Sequence, residues 1–154
     1  MKKMRVVFIG LFFTALGATS YAQTPYEHSV GAVVGNFNGV SYKTFFGSNL
    51  AFQADLGVKL NIGYWGMDVN PNLMYEQQFA KVNNFYWFVG GGASLGIGNY
   101  GLFGLNAIGG LEYKFSIPLT LQLDFRPGFG LWFGHGGKGG YFDWGLNLSA
   151  RYTF

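Results

Sequence analysis

Leu146-Asn147-Leu148-Ser149-Ala150-Arg151-Tyr152-Thr153-Phe154 is apolar at every even position and polar at every odd one. Phe142 and Trp144 extend the apolar series upstream, with Asp143 and Gly145 on the other. Period two is the signature of a strand whose two faces meet different surroundings. A strand standing between lipid and a polar lumen needs this alternation.

The opposite end of the chain agrees. Lys2, Lys3 and Arg5 precede an apolar run from Val6 to Leu16, and Ser20-Tyr21-Ala22 provides small residues before Gln23. Charge, length and exit fit a secretory leader over residues 1–22. The run is short for a membrane-spanning helix. The expected mature domain is 23–154.

Without the leader, seven acidic residues balance seven basic ones, so the basic character of the whole chain carries no argument for nucleic acid. Cysteine is absent, which excludes disulfides and thiolate chemistry. Aromatic residues make up 20% of the chain and charged ones only 11%, a sparse covering for a small soluble domain. An exported apolar chain with no second stretch long enough for a membrane helix points to a closed β-barrel, because hydrocarbon tolerates no open sheet edge.

Seven further segments repeat the alternation. Their apolar phases begin at Val30, Val40, Leu50, Met67, Phe85, Phe103 and Leu119. Turn chemistry separates them, as at Asn36–Gly39, Gly47–Asn49, Gly98-Asn99, Ser116–Pro118 and Gly134–Gly140. The expectation is an all-β, transmembrane, up-and-down antiparallel barrel of eight strands with short loops, the longest near Gly134–Gly140. Pro71 and Pro127 fall inside strand patterns, where bulges or early strand ends are expected.

Charge placement separates a membrane barrel from a soluble sandwich or lipocalin-like barrel. All mature charges except Lys81 and Lys138 fall on strands or their ends, and all of those except Glu27 take the polar phase. The apolar phase gathers rings at strand ends. Phe79, Phe85, Trp87, Tyr113, Phe115, Tyr152 and Phe154 belong to one rim, and Trp65, Phe103, Phe133, Phe142 and Trp144 to the other. Two aromatic girdles around an aliphatic band describe an outer-membrane barrel.

On these features the chain resembles the small eight-stranded outer-membrane β-barrel proteins of Gram-negative bacteria. The leader, the eight strands and the closing pattern carry the resemblance. It implies residence in the outer membrane, contact with its lipid, passage through the export machinery and insertion by the barrel-assembly machinery. Tyr152 and Phe154 match the aromatic positions of the assembly signal. Activity does not follow, since this architecture hosts many roles.

Side chains fill the lumen of an eight-stranded barrel. Glu76, Glu112, Lys114, Asp124, Arg126 and Arg151 are the candidates for an internal ion-pair network, with Gln122 and Asn147 nearby. If strands seven and eight pair symmetrically about their expected loop, Asp124 faces Arg151 and Arg126 shares its carboxylate. The network reads either as a plug that satisfies charges and sets register or as a gated polar path. In the external half, Ser94, Gly96, Gly104, Asn106, Gly128, Gly130 and Trp132 face inward. Missing side chains suggest a pocket for an acyl chain or small apolar molecule, or glycines that relieve crowding beneath Phe88, Trp132 and Tyr141.

Support for catalysis is thin. His28 and His135 belong to opposite ends, so only His135 with Asp143 and a hydroxyl resembles a lipid hydrolase or acyltransferase site. Metal-ligand spacing is absent. Gly136-Gly137-Lys138-Gly139 lacks the strand–loop–helix setting of a phosphate loop, and no cofactor is expected. The sequence thus favours a non-enzymatic structural or interacting barrel, then a conduit or binding site for small hydrophobic molecules, then a lipid-modifying enzyme.

Overall fold

A computed structural model describes residues 24–59, 65–134 and 136–154. The expected leader, Leu60 and Ile62 at the end of the apolar phase that begins at Leu50, and His135 lie outside the described residues. Eight antiparallel strands form among the described residues, and no helix. They are β1 (His28–Gly35), β2 (Phe37–Phe46), β3 (Leu50–Lys59), β4 (Gly66–Gln78), β5 (Phe85–Gly98), β6 (Gly101–Lys114), β7 (Leu119–Gly134) and β8 (Gly137–Thr153). Each pairs with its sequence neighbours and β1 pairs with β8, so the sheet closes on itself.

Register sets the shape of this ring. Ser29 pairs with Lys43, and successive partners are Gln53, Asn72, Gly92, Asn106, Gly128 and Asp143. Ser29 pairs directly with Thr153, so one circuit gains ten residues along β8. A stagger of this size tilts the strands by about 40°.

The two rims use that stagger differently. The upper strand ends follow one register line, through Phe37↔Lys59, Gly66↔Gly98 and Gly134↔Gly137. In a tilted barrel such a line climbs as it goes round. The lower ends, where both termini lie, step back along each successive strand and finish nearly level. Strand length therefore grows from 8 residues in β1 to 17 in β8. The upper rim is a ramp with a step where β8 meets β1.

Two expectations need correction. Neither proline makes a bulge or ends a strand. The registers before and after Pro71 in the β4–β5 pair, and around Pro127 in the β6–β7 pair, are continuous, with only local ladder positions lost. Both rings take the outward phase, so each costs a backbone donor but no lumen packing. The long loop at Gly134–Gly140 is also absent. β8 begins at Gly137, and Gly137 at φ 127° supplies a backbone form that other residues rarely adopt.

Burial inverts the usual soluble pattern. Lys43, Asp55, Glu76, Glu112, Asp124 and Arg151 are inaccessible, while Val34, Leu73, Leu105, Phe129 and Leu148 stand exposed on the outer wall. The apolar cluster inside is small: Ala51, Met74, Phe88 and Ile108, with Phe45 against it. Rings touch along the lower rim, with Phe79–Phe85 centroids 5.4 Å apart and Tyr113–Phe115 4.8 Å apart.

Candidate functional site

Inward residues of every strand converge on the lumen, and their charges sort into three tiers. Lys43, Glu76, Glu112 and Arg151 form the lowest, one from each even-numbered strand. Lys43 pairs with Glu76 and lies 2.9 Å from Glu112. Arg151 lies 2.9 Å from Glu112, donates to Ser41 at 2.9 Å and also bonds Gln122. Two cations meet two anions, so the tier is formally neutral.

Tyr26, just before β1, closes this tier from below. Its hydroxyl donates to Glu112 at 2.7 Å, and its ring meets Phe45 edge to face at 5.2 Å. Burial, and then the neighbouring Glu112 carboxylate, push the phenol pKa well above its ordinary value, so Tyr26 keeps its proton and donates.

Arg126 organises the middle tier. Its guanidinium contacts Asp55 at 2.5 Å and grips Asp124 through Nε at 2.6 Å and Nη2 at 3.1 Å. This fork geometry is the strong form of an arginine–carboxylate pair. Gln122 and Asn147 donate to Asp124 at 3.0 and 3.2 Å, and Gln53 donates to Asp55 at 2.9 Å. Every oxygen of the two carboxylates meets at least one donor, as enclosure demands.

Lys59 and Asp143 make the upper tier, 2.5 Å apart. Asp68 is also enclosed there and accepts from Asn70 at 2.9 Å and Ser94 at 3.1 Å. Between the upper and middle tiers lies a small, partly open cavity of about 30 Å³, room for a few water-sized groups. Asn36, Phe37, Lys59, Asn70, Ser94, Asn106, Arg126, Tyr141, Asp143 and Asn147 line it.

The expected network is assembled in part. Glu76, Glu112 and Arg151 meet in one tier, and Asp124 and Arg126 in another. Lys114 belongs to neither. Its ammonium turns down to the Phe115 and Ile117 carbonyls at 3.0 and 2.9 Å, because β6 ends at that residue. The expected facing of Asp124 with Arg151 is also wrong. Asp124 pairs with Asn147, and Arg151 with Thr120, because the tight β7–β8 turn is centred about two residues earlier than the expected loop. Lys43, Asp55, Lys59 and Tyr26 join the tiers beyond the expected members. The first three lie on the polar phase, which was the available signal, whereas Tyr26 precedes the strands.

Of the expected pocket residues, Ser94, Asn106 and Gly128 line the cavity. Gly96, Gly104, Gly130 and Trp132 do not. A Cβ on Gly104 would fall 2.5 Å from the Tyr141 hydroxyl, and one on Gly139 would fall 2.8 Å from the Trp132 indole nitrogen, so rings occupy those gaps. The lining residues are mostly polar or charged, but most of the surface that they and Phe37, Leu105 and Tyr141 present to the cavity is apolar. Asp143, the acid of the hydrolase alternative, is engaged by Lys59. Tyr152 and Phe154 stand on the outer wall at the lower rim. No group of three or more acidic or histidine ligands suited to a metal occurs among the described residues.

No protein-family model, curated protein or solved structure matches the chain.

Proposed function

We propose that this chain is an integral outer-membrane β-barrel with a non-enzymatic structural or interaction role, and that its lumen is sealed by ion pairs. The observation that carries the reading is the inverted burial. The strand charges are enclosed, apart from Lys59, Lys114 and Lys138 at the rims, and an aliphatic wall with ringed margins faces outward. In water that wall would be a large apolar patch of the kind that drives aggregation. In hydrocarbon it is the required surface, and closure of the sheet satisfies the backbone. Outer-membrane lipid is then the principal partner, reached through the export and barrel-assembly machineries, with Tyr152 and Phe154 as the assembly signal.

Refolding from urea into phosphatidylcholine–phosphatidylglycerol vesicles tests the proposal. The protein is expected to float with the vesicles and resist alkaline extraction, and to give no stable conductance step in a planar bilayer. A chain that stays in the aqueous fraction overturns membrane residence. Steady conductance overturns the sealed lumen and favours the gated path. The upper cavity supports a second reading, binding of a small membrane-borne molecule.

A further inference from the structure

We infer that the step in the upper rim is a lateral portal, through which a single-chain amphiphile places a small polar head in the upper cavity while its tail stays in the bilayer. The inference rests on the membrane reading above and deepens its second form.

Height carries the first part of the argument. The eight residues of β1 climb about 20 Å at the strand rise and tilt of such a barrel, and the 17 of β8 about 40 Å. The apolar band of an outer-membrane barrel is about 25 Å tall. The wall at β1 therefore stops inside the band and that at β2 only reaches its edge, while β8 crosses it. Asn36 fastens the short side to β8. Its amide accepts from Leu146 at 3.1 Å, and Asn147 accepts from Phe37 at 2.9 Å. Above Gly35↔Asn147, β8 has no β1 partner.

The cavity lies at the level of this gap. Asn36 and Phe37 from the short side form part of its lining, opposite Tyr141, Asp143 and Gly145 of β8. Lys59 on β3 reaches Asp143 on β8 past the ends of β1 and β2, and its ammonium sits 5.7 Å from the Tyr141 ring centroid. This ion pair spans the gap as a latch.

Chemistry selects the occupant. The lining mixes donors and acceptors, and the buried Asn106 Oδ1 has no hydrogen-bond partner among the described residues. A bare acyl chain would offer the Asn106 Oδ1 no donor and leave it without a partner. Outside the gap, Phe142 and Trp144 are exposed and apolar, a surface for a tail. A head that both donates and accepts, such as glycerol, fits the lining, and one tail fits the narrow step.

Photocrosslinking with a monoacylglycerol bearing a diazirine near its head tests this in phosphatidylcholine–phosphatidylglycerol vesicles. Labelling is expected to concentrate on peptides carrying Asn36, Tyr141 and Asp143. Asn106→Trp, which fills the cavity, is expected to lower that labelling several-fold, and Asp143→Asn, which opens the latch, to raise it. Even labelling around the outer wall, or inner labelling unchanged by Asn106→Trp, overturns the portal. If either variant fails to float, the wild-type map alone decides. Failure of the wild type to insert overturns the membrane reading instead, so the two outcomes are distinguishable.

Discussion

Arg126 shows what one residue decides in this lumen. It is the only cation in contact with Asp55 and Asp124 among the described residues. Arg126→Met leaves two enclosed carboxylates without their counter-ion. The expected loss is about 3–5 kcal/mol, the usual result of removing one partner from a buried pair, read from urea unfolding in vesicles. Tyr26→Phe is milder. It removes one hydrogen bond to an ionised acceptor, and about 1.5–3 kcal/mol is expected in the same assay. A change near zero would mean that Tyr26 does not cap the lower tier. Phase made the candidates legible at this scale, because an odd-numbered position on β8 faces one way whatever its neighbours do. Which cation meets which anion was not legible. A displacement of the β7–β8 turn by two residues moved Arg151 from Asp124 to Glu112.

Strands adapt to their contents where space is tight. Phe88 on β5 packs over Gly110 on β6, and a Cβ there would lie 2.8 Å from its ring and 2.0 Å from the Leu123 carbonyl oxygen. Gly110→Val is expected to destabilise by about 1–3 kcal/mol through overpacking. Unfolding midpoints in vesicles measure it, with Gly136→Val as the control, since open space surrounds that position. The sequence shows the glycines of β5 to β8 but not their reason. The same pattern fits an empty pocket or a ring from the next strand, and only the packed structure distinguishes them. Pro71 and Pro127 teach the converse. A proline on the outward phase interrupts a ladder without shifting it, so strand length survives what local propensity argues against.

For the whole molecule, the surroundings can be read from one outward substitution. Leu148 is exposed near mid-height on β8. In a bilayer Leu148→Arg puts a cation on the lipid face and is expected to cost about 2–4 kcal/mol. In water a substitution at an exposed site stays within about 0.5 kcal/mol. Paired unfolding curves for wild type and variant in vesicles decide between them, and a null effect would count against the membrane. The ramped rim also belongs to this scale. It follows from strands of unequal length closing with a ten-residue stagger, and it brings Lys59 and Asp143 together across strands that end below them.

The strands, their number and which side chains share a face can be read along the chain, because alternation along a strand is a local, two-residue rule. So can the keeping of ionised groups to one face and of rings to strand ends. The pairing of charges, the role of Tyr26, the residues gathered around the cavity and the step between β1 and β8 emerge from the closed barrel alone. Those depend on the stagger at which the last strand meets the first, a closure condition on the whole ring that no single segment contains.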